Sequence, residues 1–198
     1  MQRLLQHKAV KPLVFVLGLL PLGWLVWGIA NDQLGANPAE ALIRSLGDWT
    51  IRALVLVLAV TPLRVVGGWP ALARLRRMLG LFVFFYASLH WLAYVWLDMG
   101  FDWSEVWADV PKRPFILVGT LAWLMLLAMA ITSFNRAIRA LGAAAWQRLH
   151  RSVYAVALLA ILHFFWMRAG KNDFAEVFVY AGLLAALLGW RLWRRCRR

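Results

Sequence analysis

The chain is poor in cysteine and in acidic residues. It has 198 residues, of which one is cysteine and nine are aspartate or glutamate, against 22 lysines and arginines. The single thiol, Cys196, excludes an internal disulfide and a dithiol redox pair within one chain. Only 16% of the residues are charged and 63% are hydrophobic, which is more apolar surface than a soluble domain could hide. The composition therefore predicts a polytopic membrane protein.

Six apolar runs are long enough to cross a bilayer as helices, which need about 20 residues each. The predicted spans are residues 12–30, 49–66, 78–97, 114–133, 149–167 and 174–193. They use nearly the whole chain, so we expect an all-α bundle of six transmembrane helices in a single domain, residues 1–198. The first run resembles a signal peptide, but its length and the consistent topology favour an uncleaved helix. Any substrate-handling or nicotinamide-handling unit is then expected on a separate protein.

The charged residues are distributed unequally between the two sides of this bundle. With the N-terminus in the cytoplasm, 16 of the 22 basic residues fall on the inner side, and all nine acids lie in or beside the outer loops. This positive-inside pattern predicts that both termini are cytoplasmic and that an acidic surface faces outward. The net charge of +13 could suggest a nucleic-acid partner, but its placement argues against one. The inner basic residues are Arg3, Lys8, Lys11, Arg64, Arg74, Arg76, Arg77, Arg136, Arg139, Arg148, Arg151, Arg191, Arg194, Arg195, Arg197 and Arg198.

Three histidines lie in the predicted spans without an accompanying acid or lysine. An ionisable residue at membrane depth is costly and indicates function by default, and neutral imidazole is a common ligand of heme iron. His90 and His163 each lie about 12 Å short of the outer end of their helices, which run in the same direction. We expect the two imidazoles to bind one heme from opposite faces, with Ala87 and Ala160 leaving room for the porphyrin. Two histidines are too few ligands for zinc.

The third histidine, His150, is predicted about 20 Å below His163, near the cytoplasmic face. In a regular helix it would also point away from the face of His163. It could ligate a second heme, although no other span offers a partner histidine at that depth, or it could hydrogen-bond a quinone or flavin. An interfacial histidine without a cofactor is the remaining alternative. Four arginines are candidates for contacts with heme propionates, a flavin phosphate or lipid: Arg76, Arg77, Arg148 and Arg151.

Several short stretches in spans two to five carry a family resemblance. They are residues 58–64, 77–81, 85–90, 113–116, 132–133, 146–151 and 163–164. On these stretches, and on length and topology, the chain resembles the YedZ/MsrQ family, the heme-binding membrane subunits of a periplasmic methionine-sulfoxide reductase system. That family lies within the ferric-reductase-like transmembrane group. The wider group usually has two histidine pairs on two helices, whereas the third span here carries only His90.

The resemblance implies cofactors, partners and ligands. It implies heme b, with ligand histidines at His90, His150 and His163, together with a flavin, FMN. It also implies electrons from the quinone pool or a cytosolic flavin reductase, and a periplasmic molybdopterin-containing methionine-sulfoxide reductase as acceptor. No phosphate-binding glycine motif indicates the flavin site. Substrate reduction, the repair of oxidised proteins, is expected on that partner, so no catalytic residue is assigned to this chain.

The sequence leaves two alternative functions open and predicts one docking surface. Within redox chemistry, the alternative is a stand-alone ferric or quinone reductase. Outside it, the alternative is a transporter or scaffold, although transporters usually have inverted repeats and an intramembrane acid, and neither is found. An acidic outer loop is the expected docking surface for a basic patch on the partner. Its acids are Asp98, Asp102, Glu105 and Asp109.

Overall fold

The computed structural model describes residues 2–197, which form α-helices, one 3-10 helix and connecting turns, with no β-strand among them. The first half contains α1 (Gln2–Gln6), α2 (Val10–Ala30), α3 (Pro38–Val66), the 3-10 helix (Pro70–Leu75) and α4 (Arg76–Leu97). The second half contains α5 (Trp103–Asp109), α6 (Pro114–Ile131), α7 (Asn135–Leu141), α8 (Ala143–His150), α9 (Val153–Ala169) and α10 (Ala175–Cys196). Arg198 and the side chain of Arg3, two of the predicted inner cations, lie outside the described residues.

Between Gln2 and Arg197, six helical stretches are long and apolar enough to cross a membrane. They are α2, α3, the 3-10 helix with α4, α6, α8 with α9, and α10. The prediction of an all-α protein with six membrane spans is therefore confirmed, and the chain is a multi-pass membrane protein. The cytoplasmic placement of both termini stays a prediction.

The helices group into two compact units, with the boundary between Asp98 and Met99. In the first unit α3 packs along α4, and α2 adds Leu25 to a core with Leu46, Phe82, Tyr86 and Ala93. In the second unit α6 packs along α9, which also contacts α10. Each unit thus contains one main helix pair, α3 with α4 and α6 with α9. That the chain is a single domain stays a prediction.

The second span begins at Pro38, well before the predicted start near residue 49. Asn37 caps the helix, because its Oδ1 accepts the Glu40 N–H at 3.1 Å while its Nδ2 donates to Glu40 Oε2 at 3.2 Å. Pro38 occupies the first turn, where its missing N–H costs nothing, and Glu40 pairs with Arg44 at 2.6 Å. Residues 38–48, which precede the predicted span, are therefore the first turns of a continuous helix.

The fifth span is interrupted immediately after His150. Helix α8 ends there, Arg151 and Ser152 form a turn, and α9 begins at Val153. The expectation of a regular helix between His150 and His163 is therefore wrong. The relative directions of these two side chains cannot be obtained by counting steps of about 100° along one helix.

Candidate functional site

His90, on α4, is partly buried and is held by the backbone of α3. Its Nδ1 lies 2.8 Å from the carbonyl oxygen of Ile43. Because a carbonyl oxygen can only accept, Nδ1 carries the proton and donates it, and the lone pair of the neutral ring is on Nε2. Gly47 lies beside the ring, and a Cβ on it would be 3.2 Å from His90 Cε1 and 3.3 Å from Nδ1. The imidazole thus rests against a part of α3 that has no side chain.

His163, on α9, is held in the same way by the backbone of α6. Its Nδ1 lies 2.7 Å from the carbonyl oxygen of Phe115, so this ring also donates through Nδ1 and has its lone pair on Nε2. Gly119 lies beside the ring, and a Cβ on it would be 2.9 Å from Nδ1 and 3.0 Å from Cε1. The aromatic ring of Phe115 lies 6.3 Å from the imidazole, between centroids. Each helix pair therefore holds one histidine with a fixed tautomer.

The two histidines have the chemistry of axial ligands to a metal that is already held by other donors. A histidine that ligates a metal usually donates its other ring N–H to a carbonyl or carboxylate, which orients the ring and makes the ligand nitrogen more basic. Within residues 2–197, no group of three or more His, Cys, Asp or Glu could hold a metal ion. A heme brings four nitrogens of its own and needs only axial ligands from the protein. The donor set present fits a heme and does not fit a protein-only metal site.

His150, at the end of α8, donates through the other ring nitrogen, Nε2. The Thr132 hydroxyl donates to the Ala128 carbonyl at 2.7 Å, so its oxygen accepts from His150 Nε2 at 3.3 Å. The indole of Trp146 stacks on His150 with ring centroids 4.0 Å apart and donates its Nε1–H to the Thr132 carbonyl at 3.0 Å. In this arrangement the lone pair of the His150 ring is on Nδ1. His150 is thus part of a local cluster with Thr132 and Trp146.

The four candidate arginines have exposed side chains. Arg76, in the first unit, donates from Nη2 to the Thr61 hydroxyl at 2.7 Å and so joins the start of α4 to the end of α3. Arg148 and Arg151 flank His150 along the chain. All four stay candidates for contact with an anion.

The residues that hold the two rings were missed by the sequence analysis. Ala87 and Ala160, expected to leave room for the porphyrin, are buried and partly buried respectively, and their role stays a prediction. The space beside each imidazole comes from a glycine on the partner helix, Gly47 or Gly119. Gly47 precedes the predicted start of the second span at residue 49, and a glycine is too common in membrane helices for Gly119 to be noticed. The sequence alone does not show that either glycine lies four residues after a carbonyl that accepts from a histidine.

Comparison with known proteins gives a consistent result. Residues 46–161 match the family described as ferric reductase like transmembrane component. The heme-binding subunit MsrQ of protein-methionine-sulfoxide reductase from Polaromonas naphthalenivorans is 61% identical over 192 residues, which is 97% of this chain and 88% of that protein. The MsrQ subunit of Bordetella pertussis is 56% identical over 189 residues, covering 94% and 91% of the two chains. The MsrQ subunit of Xanthomonas campestris pv. campestris is 47% identical over 177 residues, covering 88% and 80%. No solved structure matches the chain.

Proposed function

Because the chain belongs to the MsrQ family, within the ferric-reductase-like transmembrane group, we propose that it is a b-type cytochrome subunit of the bacterial inner membrane. In this role it passes electrons from the quinone pool or a cytosolic flavin reductase to a periplasmic molybdopterin-containing methionine-sulfoxide reductase. The observation that supports this most strongly is the matched setting of His90 and His163, each with its proton on Nδ1. Substrate reduction takes place on the partner protein.

We assign His90 and His163 as ligands of heme iron through Nε2. Heme b supplies a one-electron carrier when bound, and the protein supplies ligands, orientation and a dry environment. The Ile43 and Phe115 carbonyls hold the Nδ1 protons of the two rings. This keeps Nε2 unprotonated and increases its basicity, which stabilises the ferric state. The apolar helices around the rings keep water from the ligand atoms.

His150 and the flavin belong to the predicted cytoplasmic side. Ligation through Nε2 would require His150 to give up its contact with Thr132, so we do not assign it to the same site as the other two histidines. It is our candidate for a second heme ligand or for a hydrogen bond to a quinone or flavin. For FMN, which rests on the family resemblance, Arg148 and Arg151 are the candidate phosphate contacts.

The Soret absorbance of the purified full-length protein tests the assignment of His90 and His163. We expect His90→Ala and His163→Ala each to lose the low-spin heme signal about as completely as the double variant, because both rings ligate one iron. His7→Ala is the matched control, since His7 is exposed and its Nδ1 accepts the nearby Ala9 N–H at 3.2 Å. Single variants that keep an unaltered Soret band would contradict the assignment. A wild-type protein that never contains heme would instead favour a transporter or scaffold.

A His150→Ala variant tests the separate role of His150. It should keep the Soret band of the main heme but be reduced more slowly by quinol or by a flavin reductase. Loss of all heme would show that His150 belongs to the main site. Reduction of ferric or quinone substrates at a physiological rate without the periplasmic partner would favour a stand-alone reductase over the proposed subunit.

A further inference from the structure

Two glycines occupy equivalent places in the two helix pairs. In the first unit, Gly47 lies four residues after Ile43, whose carbonyl accepts from His90, 47 residues further along the chain. In the second unit, Gly119 lies four residues after Phe115, whose carbonyl accepts from a histidine 48 residues further along. The order of carbonyl, glycine and histidine is therefore the same in both units, and so is the spacing to within one residue.

Helix geometry explains why glycine is favoured at this place. In an α-helix the carbonyl of residue i points along the axis toward the N–H of residue i+4. A ring that donates to this carbonyl from the side must therefore lie against the Cα of residue i+4. A Cβ there would meet the ring at 3.2 Å at Gly47 and at 2.9 Å at Gly119. A side chain at residue i+4 therefore crowds the ring that donates to residue i, so the ring must shift at Gly119 and must give by a few tenths of an ångström at Gly47.

Gly18 on α2 is crowded by an aromatic ring instead, since a Cβ there would be 2.5 Å from the Phe82 ring, but two other span glycines have no close neighbour. A Cβ added to Gly23 on α2 or to Gly182 on α10 would meet nothing within 4 Å. Alanine is a better helix former than glycine by about 1 kcal/mol, so alanine at these two positions should be neutral or stabilising. Gly23 and Gly182 are therefore matched controls, one in each unit, for the same chemical change.

We propose that Gly47 and Gly119 are positioning residues for the iron ligands, an inference that rests on the proposed function. Alanine at either position pushes the imidazole off its carbonyl, which lengthens the Nδ1–H···O bond and tilts the ring. The Nε2 ligand then becomes less basic, so the ferric heme loses stabilisation and its midpoint potential rises. Loss of such a hydrogen-bond partner weakens metal binding by about 10-fold to 100-fold.

Four alanine variants of the full chain, at Gly47, Gly119, Gly23 and Gly182, test the proposal in lipid nanodiscs. The measurements are heme per protein, the low-spin electron paramagnetic resonance spectrum and the midpoint potential. We expect Gly119→Ala to lose heme at least about 10-fold more readily than wild type. Gly47→Ala, with the longer contact, should retain more heme but with altered g-values and a raised potential. Gly23→Ala and Gly182→Ala should match wild type in all three.

Each outcome separates this inference from the proposed function. If wild-type protein contains bis-histidine heme and both site variants match the two controls, the positioning role is wrong and the ligand assignment stands. If the site variants are merely less stable to heat, while the heme they retain has wild-type g-values and potential, the glycines serve only packing and the inference is again wrong. If Gly119→Ala does not accumulate, the milder Gly47→Ala decides by the same spectrum and potential. Absence of heme from wild type would refute the proposed function itself.

Discussion

Arg168, near the end of α9, is a buried charged side chain in the second unit, and substitutions there test what its burial costs in stability. Its side chain is only 10% exposed, and it pairs through Nη1 with Asp173 at 3.1 Å and through Nη2 with Glu176 at 2.8 Å. Its guanidinium carbon also lies 5.3 Å from the centroid of the Phe164 ring. Glu176 is in the first turn of α10, so the arginine joins the end of one span to the start of the next.

The cost of breaking this network should depend on which partner is removed. The two carboxylates are about half exposed, at 52% and 47%, so water can solvate them when the arginine is absent. Arg168→Met keeps an apolar chain in the buried place and should cost about 1 kcal/mol, as for a partly exposed pair. The double variant Asp173→Asn/Glu176→Gln leaves a buried guanidinium without an anion and should cost about 3–5 kcal/mol. Removing two half-exposed acids should therefore destabilise the protein more than removing the buried base.

Thermal unfolding in detergent, followed by circular dichroism, measures this order. We expect the double variant to unfold at a clearly lower temperature than Arg168→Met, which should remain near wild type. Arg44→Met, which breaks the i,i+4 pair with Glu40 on α3, is the control and should change stability by about 0.5 kcal/mol or less. An Arg168→Met protein that unfolds before the double variant would refute the reasoning, because desolvation of the guanidinium would then not be the dominant cost.

Two further predictions concern the predicted outer loop. Asp102 is the N-cap of α5. Its pKa is lowered mainly by the hydrogen bond from the Ser104 hydroxyl, and further by those from the backbone N–H groups of Glu105 and Ser104. This pKa is lower in the folded state than the ordinary aspartate value of about 3.9. The ionised cap therefore stabilises α5 at pH values above about 3.9, and this stabilisation is lost as the pH falls through the lowered pKa. The protection of residues 103–109 against hydrogen exchange, corrected for the intrinsic rate at each pH, should therefore fall in acid, and Asp102→Asn should remove that pH dependence. For docking, Asp102 and Asp109 are unsuitable to change, since the first caps α5 and the second pairs with Arg113. Neutralising Asp98 and Glu105 together should slow electron transfer to the soluble partner at low salt without altering the heme spectrum. The defect should shrink as salt is raised, since screening acts over about 8 Å at physiological ionic strength; native rates at low salt would place docking elsewhere.

The spans could be predicted from the sequence because a bilayer demands about 20 apolar residues per helix, and six such runs stand out. The start of α3 could not be predicted from hydropathy. Its first turns are polar, and the cap formed by Asn37 and Glu40 extends the helix beyond the apolar run. The break after His150 was missed for a related reason. The predicted span ran through Arg151 and Ser152 without interruption, and the break there is visible in the backbone turn that these two residues form.

In the candidate site, too, some residues could be predicted from the sequence and others could not. His90 and His163 could be identified because ionisable side chains are rare within membrane spans. The carbonyls of Ile43 and Phe115 could not, since every residue has a carbonyl and only packing selects which one a histidine reaches. Gly47 and Gly119 acquire their meaning from those same contacts. The sequence pattern therefore indicates the candidate ligands but not the groups that orient them.

Chemical rescue of the ligands tests the central claim most directly. His90→Gly and His163→Gly each remove one imidazole and leave a space that free imidazole can occupy. We expect each variant to lose the low-spin spectrum and to regain it when imidazole is added during heme reconstitution, whereas His150→Gly should keep the main low-spin heme without imidazole. A low-spin spectrum in His90→Gly or His163→Gly without added imidazole would show that the residue replaced is not an iron ligand.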